Sequence, residues 1–269
     1  MKSTRRLGGS SARSIRDQIL TEELRLIHEK NFGVYGVRKM WHAVRRAGWD
    51  VGRDQVARLM RIAGIESVRR GRIPVTTRPA PEPDSRPDLV NRQFKASRPN
   101  ELWVADITYA RTLSGFVYTA FVTDVFSRKI VGWATRSSMK TEALPLEALE
   151  QAVMSATNQL DQLIHHSDHG SQYTSIAYNE TLADYGIKPS TGTVGDSYDN
   201  ALAETVNGLY KTELIYSQPW ASLTEVEFAT LNWVYWWNNE RLHESLDYCT
   251  PAEIIDMYNR TRVSELTPV

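Results

Sequence analysis

The prolines between Ile73 and Pro99 constrain this chain of 269 residues more than any other feature. Pro74, Pro79, Pro81, Pro83, Pro87 and Pro99 fall in a stretch with little hydrophobic periodicity. Each proline lacks an amide donor and holds the residue before it extended, so residues 73–99 read as a linker, not a helix. The chain must therefore fold as two parts. Charge divides at the same place. Residues 1–78 carry 18 Lys and Arg against 7 Asp and Glu, a net of +11, whereas residues 79–269 carry 14 against 25, a net of −11. A basic module is joined to an acidic one, and the overall charge of zero conceals it.

A hydrophobic fraction of 41% with 24% charged residues is ordinary for a globular protein and excludes disorder throughout. The lone Cys249 can form neither an internal disulfide nor a Cys-rich zinc site, which suits a reducing cytoplasm. No apolar run reaches membrane-spanning length, and Met1, Lys2, Arg5 and Arg6 lead into glycines, without the apolar core of a signal peptide. The expectation is a soluble cytoplasmic protein with no membrane partner.

Residues 1–13 are small, basic and unpatterned, and read as a disordered lead. Three short helices follow within 14–72. Ile15, Ile19, Leu24 and Ile27 keep roughly helical spacing. Val37, Met40, Trp41 and Val44 form one face, and Gly48 stops that helix. Between Arg53 and Ala63, Val56, Leu59, Met60 and Ala63 make a stripe with Arg53, Arg58 and Arg61 off it. This is a helix-turn-helix-like pattern. Beyond the linker, Leu102–Tyr109, Phe116–Thr123 and Lys129–Thr135 read as an antiparallel meander. Helices are expected at Glu142–Thr157, Ser175–Tyr185, Asn200–Tyr216 and Leu223–Trp237, with short strands at Gln162–His166 and Ile187–Pro189. Strands first, then alternating helix and strand, describe an α/β mixed sheet with flanking helices over 100–262, and a tail at 263–269.

Three acids stand at telling places. Asp106 lies inside the first strand, Asp168 follows the fourth, and Glu204 opens a helix. A lone ionised Asp among strand residues is costly to bury and needs a reason. A divalent metal is one, because Mg²⁺ takes hard oxygen ligands and is usually held by a few carboxylates with substrate phosphates. A structural strand-end Asp is the competing reading for Asp106. Asp124 reads as ordering a turn and Asp199 as a helix cap. His165 and His166 are adjacent on a strand and point to opposite faces, so a structural or DNA-contacting role suits them better than zinc. Trp233, Tyr235, Trp236 and Trp237 read as core aromatics. Arg241 and His243 either meet phosphate or pair with acids.

Taken together, Trp103…Asp106, His166-Ser167-Asp168-His169-Gly170-Ser171-Gln172-Tyr173 and Asp199-Asn200-Ala201…Glu204 resemble the integrase-core (DDE) transposases of bacterial insertion sequences. The 35 residues between Asp168 and Glu204 match the spacing of that family, as does Lys211, seven residues after Glu204. Trp237-Asn238-Asn239-Glu240-Arg241-Leu242-His243, with Thr250-Pro251-Ala252-Glu253, resembles its C-terminal signature. The resemblance implies a ribonuclease-H-like catalytic core and the carboxylates Asp106, Asp168 and Glu204 as catalytic metal ligands. It also implies Mg²⁺ (Mn²⁺ as a substitute) as cofactor. The subgroup resembled makes its complete transposase by frameshifting between two overlapping reading frames, this chain being the downstream product. The upstream product or a fusion with it is thus an expected partner, alongside DNA and further copies of this chain.

The basic module is expected to neutralise phosphate. Arg53, Gln55, Arg58 and Arg61 are the expected DNA-facing residues, Arg69, Arg70 and Arg72 a tail tracking the backbone, and Lys211 a phosphate contact in the core. The activity expected is cleavage at insertion-sequence ends and joining of the freed 3′ hydroxyl to another phosphodiester. Another integrase-core nuclease or recombinase, or a DNA-binding regulator with an inactive core, are the alternatives.

Overall fold

The computed structural model describes residues 11–68, 88–90, 94–139, 144–156, 160–168, 172–173, 175–191 and 201–266. The lead up to residue 10, most of the linker, Arg69, Arg70, Arg72 and Asp199 lie outside the described residues. The chain divides into two compact units, Met1–Arg69 and Arg70–Val269.

Among its described residues the first unit has three helices: α1 (Ala12–Lys30), α2 (Val37–Arg46) and α3 (Arg53–Ala63). Ser11 starts α1, its hydroxyl accepting from the Ser14 amide at 3.2 Å. Gly64 ends α3 at φ +68°, a left-handed conformation that costs glycine little, and the Ile65 amide returns to the Met60 carbonyl. Leu20 and Leu24 of α1 are buried together with Met40, Val44, Val56, Leu59 and Met60. The stripes read in α2 and α3 are buried at Met40, Val44, Val56, Leu59 and Met60, whereas in α1 Ile15 and Ile19 are exposed and the buried face is Leu20 with Leu24.

Among its described residues the second unit has five strands: β1 (Leu102–Thr112), β2 (Gly115–Asp124), β3 (Ile130–Arg136), β4 (Ile164–Ser167) and β5 (Lys188–Thr191). Their order is β3-β2-β1-β4-β5; the first three are antiparallel neighbours, and β4 and β5 run parallel to β1. This is the ribonuclease-H-like arrangement. Among the described residues five α-helices accompany it: α4 (Pro145–Ser155), α5 (Ile176–Asp184), α6 (Ala201–Glu213), α7 (Leu223–Asn239) and α8 (Pro251–Leu266). Alternation along β1 sorts the faces. Trp103 and Ala105 join Leu144, Ala148, Leu149 and Ala152 of the α4 side, with Tyr178 and Leu182 of α5. Leu102 and Val104 join Ala203 of α6 on the other face. Val90, inside the proline-rich stretch, is buried in that second cluster. The α4 side is tight at Gly132 of β3, where a Cβ would stand 2.0 Å from the Ala148 carbonyl oxygen.

The edge strand β3 is covered by side chains. Asn238 of α7 bonds both the amide and the carbonyl of Ile130 at 2.9 Å, and Gln151 of α4 accepts from the Trp133 amide at 2.6 Å. An open edge is a template for unwanted strand pairing, and these amides occupy it. On the α6 face, Phe121 meets Tyr210 and Trp233, and Trp233 meets Trp237 at 5.0 Å between centroids. Tyr235, expected in that core, is 63% exposed, because it falls on the opposite side of α7 from Trp233 and Trp237.

Candidate active site

Asp106 continues the Leu102, Val104 series along β1, so its side chain lies on the α6 face. The parallel pairing of β1 with β4 sets Val104 opposite His166 and Ala105 opposite Ser167. Carried on by one residue, that register brings Asp168 level with Asp106. Glu204 stands exposed in the first turn of α6. Burial and the negative charge of Asp168 push the Asp106 carboxyl up to about 7, with a smaller push from Glu204. Asp168 and Glu204, far from it in sequence, thus both act on Asp106.

Two donors hold Asp106 against that field. The Ile107 amide donates to its Oδ1 at 2.8 Å and the Asn207 side-chain amide to its Oδ2 at 2.8 Å. Lys211 is half-buried two turns beyond Glu204, with its Nζ 4.5 Å from the centre of the Tyr109 ring. Burial lowers its pKa, and the charge of Asp106 partly restores it. A cation thus sits beside the acidic cluster.

The donor set fits a divalent cation: oxygen ligands only, one of them a carboxylate whose ionisation is opposed by its neighbours and would be favoured by a positive ion. Among the described residues no three His, Cys, Asp or Glu side chains stand close enough to make up a metal site by themselves. Mg²⁺ does not require a complete protein cage, since it keeps waters and takes substrate phosphate oxygens.

The neighbouring candidates have other uses. His165 is buried against Tyr178 at 3.1 Å, and His166 against Ser190 at 3.0 Å and the Phe94 ring, so both are structural. Asp124 accepts from the Asn100 amide and from the amide and hydroxyl of Ser127, which fixes the β2–β3 turn. Arg241 is 4% exposed and pairs with Glu213 at 2.6 Å, stacked 4.6 Å from the Trp237 ring centre. The C-terminal signature is a buried clamp, and Arg241 meets an acid.

In α3 of the first unit, Gln55 and Arg58 turn out to be occupied within the fold. Both bond Asp17 of α1, Gln55 at 3.0 Å and Arg58 at 2.6 Å. Arg53 and Arg61 are exposed. Sequence reasoning passed over Asp17, since nothing local marks an acid 38 and 41 residues from its partners. It also passed over Asn207, although its position three residues after Glu204, within a turn of the same helix, was a signal.

The fold and site define an integrase core behind a helical module, and the comparisons agree. The integrase core domain family matches residues 96–197 and 185–251, and the HTH-like domain family matches residues 14–72. The transposase for insertion sequence element IS629 of Shigella sonnei is 49% identical, over 92% of this chain and 82% of that protein. The transposase for insertion sequence element IS904 of Lactococcus lactis subsp. lactis (strain IL1403) is 33% identical, over 93% of this chain and 98% of that protein. Among solved structures, the HTLV-2 integrase catalytic core domain in complex with magnesium matches with a TM-score of 0.44 at 17% identity, over 60% of this chain and 99% of that one. The chain belongs to the integrase-core transposases of bacterial insertion sequences. Among the described residues, no helix is long and apolar enough to cross a membrane.

Proposed function

We propose that this transposase cuts the ends of its insertion sequence and joins each freed 3′ hydroxyl to another phosphodiester at Asp106, Asp168 and Glu204. The observation that carries the reading is the geometry: the parallel β1–β4 register leads Asp168 toward Asp106, and α6, which carries Glu204, is tied to Asp106 through Asn207. Asp106 and Asp168 would hold Mg²⁺, or Mn²⁺ in its place, and Glu204 would complete the oxygen set. When bound, a divalent pair activates the attacking oxygen and offsets charge on the leaving one. In the first step a water oxygen attacks phosphorus and the bond to the 3′ oxygen breaks, leaving a 3′ hydroxyl. In the second that hydroxyl attacks a new phosphodiester and displaces another alcohol. One such bond is exchanged for another, so no external energy source is needed. The acids hold the charge that draws the cation, and Lys211 offers its ammonium to a neighbouring phosphate oxygen.

The basic unit supplies DNA affinity. Arg53 and Arg61, with Arg69, Arg70 and Arg72, contact phosphates, while Gln55 and Arg58 fix α3 against α1 through Asp17. The reading places the work in the cytoplasm, on DNA, with further copies of the chain and the upstream-frame product or a fusion with it. The test is cleavage of end-sequence DNA in Mg²⁺. Asp168→Asn keeps the side-chain shape and loses the charge, so cleavage should vanish while DNA retention in a mobility-shift assay persists. Equal cleavage by wild type and variant would overturn the assignment.

A further inference from the structure

We propose that Asn207 is a positioning residue of this site: its amide fixes the Asp106 carboxylate and adds one more buried, uncharged oxygen beside it. The proposal rests on the carboxylate reading above. Asn207 lies on α6, three residues beyond Glu204, so it shares that side of the helix. It is 8% exposed, and its Nδ2 donates to Asp106 Oδ2 at 2.8 Å. With the Ile107 amide on Oδ1, each carboxylate oxygen has one donor, which sets the plane of the group. Each oxygen then keeps a lone-pair direction for another partner.

The second half of the amide carries the argument further. Asn207 Oδ1 is buried and has no hydrogen-bond partner among the described residues. A buried acceptor left unsatisfied is costly, whereas an apolar side chain of similar volume would fill the place at little cost. If packing alone were needed at this β1–α6 contact, leucine would serve better. An amide here makes sense where both ends are used: one on the carboxylate, the other on a group that enters with the cation or with DNA. Neutral carbonyl oxygens are among the ligands and hydrogen-bond acceptors that hard cations and their waters take. Residues that orient metal ligands in this way typically change metal affinity when lost.

The experiment titrates Mn²⁺ into the full chain without DNA and reads its binding by water proton relaxation. Wild type, Asp168→Asn, Asn207→Leu and Asn207→Ala are compared, with the metal-free melting temperature of each. Asn207→Leu should weaken Mn²⁺ binding about 10–100-fold, the range for loss of a ligand-orienting group, with little change in metal-free melting. Asn207→Ala should show the same loss and covers the case in which leucine disturbs packing against β1. If Asp168→Asn loses Mn²⁺ and both Asn207 variants bind as wild type, the Asn207 proposal is wrong and the carboxylate reading stands. If Asp168→Asn binds as well as wild type, or wild type binds no Mn²⁺, the carboxylate reading fails and takes this one with it.

Discussion

Arg241 and Glu213 are 28 residues apart and come together in a place where both charges are almost wholly buried. From the sequence, Arg241 could equally have met a phosphate, since its acid partner sits at the end of another helix. Pairing of this kind is a property of the packed structure. A buried ion pair tolerates removal of both partners far better than removal of one. Arg241→Met should therefore destabilise the core by about 3–5 kcal/mol in denaturant unfolding, because Glu213 is left buried and alone. Arg241→Met with Glu213→Met should recover much of that loss. Equal stability of wild type and the single variant would show that the pair contributes nothing. Asp168, just past β4, stood out through the residues around it, and Asp106 for a different reason. An acid in a strand of apolar residues violates the local pattern, and such violations mark functional places.

The helices and strands that bury a stripe were readable from period alone, as α2, α3 and β1 show. Helix α8 was not, because most of its side chains are only partly buried or exposed and leave no strong stripe. Its signal lay in the cap. Thr250 Oγ1 accepts from the Glu253 amide at 3.2 Å and Glu253 accepts from the Thr250 amide at 2.8 Å, a capping box with Pro251 in the first turn. The α1–α3 contact was equally hidden, since Asp17 reads locally as a solvated acid. Its bonds to Arg58 and Gln55 hold its carboxyl below the usual range. A depressed carboxyl contributes stability above its unfolded pKa of about 3.8. That contribution is lost as pH falls through the lower folded value. Asp17→Asn should thus lower the melting of the helical unit at neutral pH, and the gap to wild type should close below about pH 3.8. Circular dichroism melts across pH would show it; a gap independent of pH would mean the ion pair is not the cause.

At the scale of the whole molecule, a unit of strong positive charge and one of strong negative charge share a chain whose net charge is zero. The proposed function assigns affinity for DNA to the first and chemistry to the second. Replacing both Arg53 and Arg61 with Ala should flatten the dependence of log K on log salt by roughly 0.9 per lost phosphate contact. Arg58→Ala should act chiefly on stability, given its bond to Asp17. Unchanged slopes in the double variant would remove α3 from the DNA interface. One place is decisive, Asp106 in the middle of β1 beside the end of β4 and α6. Crystals of the full chain soaked in Mn²⁺ and measured at the manganese absorption edge test it directly. An anomalous peak within about 2.0–2.3 Å of carboxylate oxygens of both Asp106 and Asp168 is the predicted result. A peak elsewhere, or none at these residues in crystals saturated with the ion, would contradict it.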